Sequence, residues 1–308
     1  MLIPITDSIQ KIVITFPQGM GSVNSYLMKG SKGYTIIDTG MNHREAKEIW
    51  KSFLSQGEKI EKVVLTHVHE DHVGLAKWFQ EKIGIPVYVS DIGYQEMKKN
   101  LNRSMEDIQR LIQNHGGPEI PKTFRWDLSI YDFEPDGIFA EGDVIRLGDD
   151  EFQAIWTPGH APDQFCFYAK EEKLMIVGDH ILKDIAPVIG LWNGKEANPL
   201  QEYLTSLQKI KPYSANLALP GHGETIDQLY DRILELEKRH QWRLEQVYRL
   251  LKGEPKTAYE ICTDIYGEVD ILTHISTFMA TLTRLIYLET LGKIYRIDKD
   301  GVTLFHQH

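Results

Sequence analysis

Short β-rich runs alternate with turns through the first part of the chain. Strands are predicted at KIVITF (11–16), SYLMKG (25–30) and YTIIDTG (34–40), a helix at HREAKEIWKSFLSQG (43–57), and a buried strand at KVVLTH (62–67). Apolar residues therefore recur first with the two-residue period of strands and then with the 3.6-residue period of a helix. This succession is typical of a fold in which helices pack outside a sheet.

A second series of strands repeats this pattern. Its runs are VIRLG (144–148), FQAIWTPGH (152–160), QFCFYAK (164–170), KLMIVGDHIL (173–182) and NLALPGHGE (216–224). Before the last run, Asn198 and Pro199 predict the start of a helix. Two such halves predict an α/β fold, a four-layer αβ/βα sandwich over residues 1–225. The polar segment between them, 91–141, is expected to be a lid-like insert.

After residue 225 the pattern changes to helices. Leucine, isoleucine and valine recur at three- and four-residue steps from Leu229 to Leu251, which predicts one long amphipathic helix that Gly253 and Pro255 end. A helix at TAYEICTDIYG, a second from about Thr273 to Leu291, and two β-rich runs in IYRIDKDGVTLF follow. This order predicts a small winged-helix-like domain over residues 226–308.

Composition limits the classes of function. The 308 residues include 44 Asp and Glu against 34 Lys and Arg, a formal net charge of −10, which disfavours a nucleic-acid partner without excluding it. The sequence has no apolar run of the ~20 residues that cross a bilayer and no signal-peptide pattern at its start, so we expect a cytoplasmic protein with no membrane partner. Cys166 and Cys262 are predicted to form neither a disulfide nor a thiolate metal site.

The strongest chemical signal is the segment THVHEDHVG. It offers His67, His69, Asp71 and His72 within six positions, directly after a predicted strand. A turn at the carboxyl end of a strand can point several imidazoles and a carboxylate at one place, as a metal ion requires. The pattern therefore predicts a metal site.

Three further fragments place a candidate ligand at the end of a predicted strand. They are TPGHAPDQ with His160, IVGDHI with Asp179, and LPGHGE with His222. Scattered structural histidines are the alternative interpretation, which the ordered recurrence of these motifs disfavours. His180 stays outside the predicted ligand set, because a histidine beside a ligand more often has a packing role.

The ordered set H-x-H-x-D-H, His, Asp, His resembles the metallo-β-lactamase superfamily, most closely its glyoxalase II-like hydrolases, over about residues 10–225. The resemblance implies the metallo-β-lactamase fold. It also implies two metal sites that share one carboxylate: His67, His69 and His160 at the first, Asp71, His72 and His222 at the second, and Asp179 at both. Asp38 in IIDTG would orient a ligand without binding metal.

This resemblance implies two divalent ions, first of all zinc, with manganese or iron as alternatives. The implied reaction is hydrolysis of a small thioester or ester by a hydroxide shared between the ions, with Asp71 or metal-bound water as proton donor. Asp179 stands where true β-lactamases of the superfamily have cysteine. His69 stands where the oxygen-reducing diiron branch has glutamate. The first departure disfavours hydrolysis of antibiotics, and the second disfavours oxygen reduction and leaves a hydrolytic pattern.

The C-terminal module resembles the winged-helix extension of a branch that includes endoribonucleases. Its lysines and arginines are interleaved with acidic residues and form no basic stripe, so packing over the active site or pairing of protomers in a homo-oligomer is the expected role. Two alternatives stay open: a metal-dependent endoribonuclease of the same fold, and a winged-helix nucleic-acid-binding regulator with a relic hydrolase domain.

Overall fold

The structure is a computed structural model that describes residues 2–17, 21–121, 127–268 and 271–308, and the side chains of these except 271–274. Its residues form two compact units. The first draws on residues 1–101, 127–187 and 209–232, and the second on residues 102–126, 188–208 and 233–308. The units are thus discontinuous in sequence, unlike the predicted domains 1–225 and 226–308, and the insert 91–141 contributes to both.

A seven-stranded mixed sheet forms one part of the first unit. Its strands, in sheet order, are β1 (Leu2–Pro4), β2 (Ile9–Thr15), β3 (Ser22–Gly30), β4 (Gly33–Ile37), β5 (Ile60–Val64), β6 (Val87–Ser90) and β7 (Gly137–Phe139). The pairs from β1 to β4 are antiparallel, and those from β4 to β7 are parallel. Because parallel strands end at the same edge, Asp38 and His67 leave β4 and β5 close together.

A five-stranded sheet forms the other part of this unit. It consists of β8 (Val144–Leu147), β9 (Asp150–Trp156), β10 (Phe165–Ala169), β11 (Leu174–Gly178) and β12 (Leu217–Pro220), in the order β12-β11-β10-β9-β8. Only the β11–β12 pair is parallel among these described pairings. Asp179 and the loop that carries His222 therefore leave the sheet at one edge.

The first unit is layered. Aromatic side chains of both sheets share a buried cluster, with Tyr26 and Phe139 from the seven-stranded sheet and Phe165 from the other. On the opposite side of the seven-stranded sheet, helix α1 (Arg44–Leu54) buries Trp50 against strand residues. The indole of Trp50 donates a hydrogen bond of 2.8 Å to the carbonyl of Thr39, which fixes the chain just after β4.

Short helices complete the first unit. α2 (Glu70–Val73) and α3 (Ala76–Trp78) follow β5, and α3 continues into a π-helical turn (Phe79–Ile83). α4 (Asp91–Leu101) follows β6, and a 3-10 turn (Leu128–Tyr131) precedes β7. The ligand-bearing segment after β5 is thus a loop that passes directly into a single helical turn.

The second unit is mainly helical. It contains α5 (Met105–Asn114), most of α6 (Pro199–Ile210) and α7 (Leu229–Leu250), α8 (Ala258–Tyr266), α9 (Ile271–Thr290), and the hairpin β13 (Ile294–Lys299) and β14 (Val302–Gln307). One apolar cluster joins Ile108, Val247, Ile261, Phe278 and Phe305 from four helices and the hairpin. The unit therefore has a core of its own.

The mixed α/β architecture, the long helix to Leu250 and the two helices and hairpin after it are confirmed as elements. The predictions missed β1, β6 and β7, which are short. They also extended the strands before Asp179 and His222 into the ligand loops, since the runs KLMIVGDHIL and NLALPGHGE continue past Gly178 and Pro220, where β11 and β12 end. The lid role of the insert and the winged-helix assignment stay predictions, and residues 122–126 of the insert lie outside the described residues.

None of the described helices is long and apolar enough to span a membrane.

Candidate metal centre

Three histidines from two loops meet in a first group. The ring nitrogens of His67, His69 and His160 all lie within 4.8 Å of one another. Nδ1 of His69 is 3.1 Å from Nε2 of His67 and 2.9 Å from Nε2 of His160. The loops after β5 and β9 are far apart in sequence, yet they converge here.

A second group combines one carboxylate with two histidines. Ligand atoms of Asp71, His72 and His222 also lie within 4.8 Å of one another. Oδ2 of Asp71 is 3.2 Å from Nε2 of His222 and 3.6 Å from Nε2 of His72. The single turn α2 contributes two of these residues, and the loop after β12 contributes the third.

Asp179 lies between the two groups. Its Oδ2 is 3.4 Å from Nε2 of His160 and 3.1 Å from Nε2 of His222, and its Oδ1 is 3.5 Å from Nε2 of His72. The structure therefore brings all seven ligands predicted from the sequence into one centre.

A glycine makes this approach possible. A Cβ added to Gly221 would lie 2.2 Å from Oδ1 of Asp179 and 2.8 Å from Cε1 of His72. Real Cβ atoms do not come that close to other heavy atoms, so any larger residue at position 221 would have to displace the Asp179 carboxylate. Gly221 in LPGHGE is thus a steric requirement of the site.

Two histidines of the first group, His67 and His69, favour the neutral imidazole. Burial lowers the pKa of His67 well below its ordinary value, and the neighbouring His72 and His69 lower it further. Burial and the nearby His160 lower the pKa of His69 to about 3. A neutral imidazole has a free lone pair, which is the form that binds a divalent metal.

The second group is a charged network. Burial opposes the charged state of His222, but Asp179 and Asp71 outweigh this effect and raise its pKa to about 10. The same carboxylates, together with Asp38, raise the pKa of His72 well above its ordinary value against the effect of burial. Protons here occupy nitrogens that a metal would bind, so metal ions and protons compete for them.

The residues fit divalent metal ions. Nε2 of His72 and Oδ1 of Asp179 are buried and have no hydrogen-bond partner among the described residues, although both face other ligand atoms. Buried polar atoms without partners are unfavourable unless something binds them. Imidazole and carboxylate donors together are the ligands that zinc and its neighbours in the first transition row prefer.

Asp38 follows β4 directly and contacts His72, in the position that the resemblance implies for an orienting residue. Its carboxylate accepts hydrogen bonds of 2.8 Å from Nδ1 of His72, from the backbone N–H of Thr66 and from the hydroxyl of Thr66. The backbone φ of Asp38 is 59°, a left-handed conformation that aspartate tolerates better than most residues. These three bonds hold it there.

Two further supporting residues lie in TPGHAPDQ and were not singled out from the sequence. Oδ2 of Asp163 accepts a 2.9 Å hydrogen bond from the backbone of Val68, between two ligands, and burial together with Glu96 raises the pKa of Asp163 to about 7. Oε1 of Gln164 accepts a bond of 3.3 Å from the backbone of Asp179. Their position beside His160 in the motif was the available signal.

His180 is buried, and among the described residues it belongs to none of the groups that could hold a metal ion. Its exclusion from the ligand set stays a prediction.

Relatives of this chain include proteins named as a probable metallo-hydrolase and as a thioesterase. The probable metallo-hydrolase YqjP of Bacillus subtilis is 27% identical over 278 residues, 86% of each chain. The atrochrysone carboxyl ACP thioesterase of Aspergillus fumigatus is 25% identical over 234 residues, 75% of this chain and 60% of the relative.

A solved structure agrees with the fold over the whole chain. A metallo-beta-lactamase family protein of Thermus thermophilus matches with a TM-score of 0.85 and 27% identity, covering 99% of this chain and 100% of that one. The family model described as the metallo-beta-lactamase superfamily matches residues 19–222, which include every predicted ligand. The chain therefore belongs to the metallo-beta-lactamase superfamily and is a metal-binding hydrolase.

Proposed function

We propose that this chain is a dinuclear metal-dependent hydrolase that cleaves small thioesters or esters. The observation that carries the proposal is the position of Asp179. Its Oδ2 lies 3.4 Å from Nε2 of His160 in one ligand group and 3.1 Å from Nε2 of His222 in the other. A carboxylate placed in this way can bind two ions at once, as in two-metal hydrolytic sites.

Each of the two ligand groups would bind one ion. The first ion would be held by His67, His69 and His160, the second by Asp71, His72 and His222, with Asp179 shared. Five imidazoles and two carboxylates favour zinc, with manganese or iron as the next candidates.

Two divalent ions bound here would lower the pKa of a shared water molecule and polarise the carbonyl of the substrate. Asp71 is the side chain proposed to transfer the proton of this water molecule. Burial would raise the pKa of Asp71, but His72 and His222 outweigh it and lower the pKa to about 2. This value describes the centre without metal. In the metal-bound enzyme the Asp71 carboxylate would accept a proton during attack and return it to the leaving group.

A thioester is the favoured substrate class for two reasons. One relative is named an acyl carrier protein thioesterase, although this chain spans only 60% of its length. The net charge of −10 disfavours RNA, the substrate of the main rival function, because a phosphate backbone is repelled at long range.

The test combines metal analysis with a substrate screen. Protein purified without chelators should contain two ions per chain. It should hydrolyse thioesters or esters in a reaction that chelation abolishes and zinc restores. Asp179→Asn should lose this activity, whereas the exposed Asp184→Asn should keep it. One ion per chain that added zinc or manganese does not raise, or cleavage of single-stranded RNA without ester cleavage, would overturn the proposal.

A further inference from the structure

The loop that carries His222 is held by a buried amide from β3. Nδ2 of Asn24 donates hydrogen bonds of 2.9 Å to the carbonyl oxygens of both Pro220 and Gly223, one on each side of His222. The backbone N–H of Asn24 donates to the carbonyl of Gly221 at 2.7 Å. Asn24 is only 2% exposed, so these bonds form away from water.

Two more buried side chains bind the same carbonyls. The hydroxyl of Tyr26 donates to the carbonyl of Pro220 at 2.8 Å, and Nζ of Lys11 donates to the carbonyl of Gly223 at 3.2 Å. Burial raises the pKa of Tyr26, which keeps the phenol protonated as a donor. Together with Asn24 they form what we call the β2–β3 clamp, defined as Lys11, Asn24 and Tyr26.

The same strand also fixes the ring of His222. Its Nδ1 lies 2.5 Å from the carbonyl oxygen of Ser22, the first residue of β3. A carbonyl only accepts hydrogen bonds, so Nδ1 carries a proton and Nε2 is the nitrogen left to face Asp71 and Asp179. A partner of this kind sets both the tautomer and the orientation of a metal-binding imidazole.

We propose that the β2–β3 clamp positions His222 and thereby sets the affinity of the second metal ion without setting that of the first. This inference rests on the proposed dinuclear function. Among the described residues, the side-chain hydrogen bonds of the clamp run to the carbonyls of Pro220 and Gly223, apart from one from Asn24 to Tyr26 within the clamp. None of these bonds reaches the loops that carry His67, His69 or His160.

Loss of the clamp should move His222 because the buried carbonyls of its loop have few other hydrogen-bond donors. If Asn24 loses its amide donors, the buried carbonyls of Pro220 and Gly223 lose hydrogen bonds that water cannot replace without opening the loop. The loop then shifts to find new partners, and Nε2 of His222 moves with it. A supporting contact of this kind typically changes metal affinity by about 10- to 100-fold.

The experiment uses the full chain and three variants. Asn24→Asp keeps the size of the side chain but removes its donors, and Tyr26→Phe removes one oxygen atom. Tyr34→Phe is the matched control, because Tyr34 is a buried tyrosine on the neighbouring strand whose ring packs against Phe53. Equilibrium titration with zinc and with cobalt, whose absorption reports coordination, gives the affinity for each ion. Urea unfolding of chelated protein measures stability separately.

We expect Asn24→Asp to bind the second ion at least ~10-fold more weakly, Tyr26→Phe to show a smaller loss, and the first ion to bind normally in both. Tyr34→Phe should match the wild type. Equal weakening of both ions, or unchanged binding of the second ion in folded Tyr26→Phe, would overturn the inference even if Asn24→Asp does not fold. A wild-type protein that binds only one ion would instead overturn the dinuclear function itself.

Discussion

Asp38 accepts a 2.8 Å hydrogen bond from His72 through Oδ2, the oxygen that also accepts a bond from the hydroxyl of Thr66. That hydroxyl lies 3.0 Å from Nδ1 of His67. Thr66 can donate to the carboxylate and accept from the imidazole, so one carboxylate orients a histidine in each ligand group. The two proposed metal sites therefore share a support behind the ligands as well as the bridging position of Asp179.

We expect Asp38→Asn to weaken binding of both ions by about 10- to 100-fold, the range found when a partner of a metal-binding histidine is lost. Asparagine also tolerates the backbone φ of 59° at this position, so the fold should persist. Metal titration measures the effect, with the exposed Asp149→Asn as control. Weakening confined to the second ion would show that the contact through Thr66 does not matter.

Asp71→Asn should separate metal binding from proton transfer. Asparagine keeps an oxygen ligand but has no ionisable proton, so we expect folding and the first ion to be retained. The kcat should fall by at least ~10²-fold, with a smaller change in KM, because a positioned acid or base acts mainly in the transition state. Steady-state kinetics with both ions bound tests this. Near-normal turnover would show that a group other than Asp71 transfers the proton to the leaving group.

Gly221→Ala should damage the centre although alanine is small and apolar. Its Cβ would lie 2.2 Å from Oδ1 of Asp179, so the carboxylate has to move. We expect loss of at least one ion per chain by elemental analysis. Gly57→Ala is a control for adding a methyl group without a steric clash, since its Cβ would meet nothing within 4 Å. Gly57 has a φ of 82°, so its replacement adds backbone strain that replacement of Gly221 does not, and its metal content should still be normal. Normal metal content in Gly221→Ala would contradict the close packing.

Binding of the second ion should release more protons than binding of the first. In chelated protein the pKa of His222 is raised to about 10, whereas that of His69 is lowered to about 3. At pH 7 the second ion must displace a proton from His222, so its affinity should rise with pH up to about pH 10. Calorimetry in two buffers of different ionisation enthalpy counts the protons, and equal counts for both ions would contradict this.

The same shift makes a prediction for the stability of chelated protein. The folded pKa of His222 lies above its unfolded value, so its ion pairs with Asp71 and Asp179 stabilise the fold fully below about pH 6.5. This contribution should be lost as the pH rises from there through about 10. Urea unfolding at pH 7 and pH 10 measures it, and His222→Gln should show a weaker dependence on pH.

The sequence by itself predicted the candidate ligand set that the structure brings together. His67, His69, Asp71 and His72 lie on one loop and one helical turn, so their proximity is a local property of the chain. His160, Asp179 and His222 could be added because each follows an apolar run that ends in turn-forming residues, and strand ends meet at sheet edges. Local periodicity also predicted the long helix α7 and most of the strands.

Only the tertiary structure decided what holds these ligands in place. Asn24 and Lys11 bind carbonyls that are about two hundred residues away in sequence, and the sheet pairing of β2 and β3 decides which side chains face that loop. Every residue has the same backbone carbonyl, so the sequence does not indicate which carbonyl will accept a hydrogen bond from Asn24 or Lys11. Side-chain type predicts a metal ligand, but the hydrogen bonds that orient it depend on strand register and packing over the whole unit.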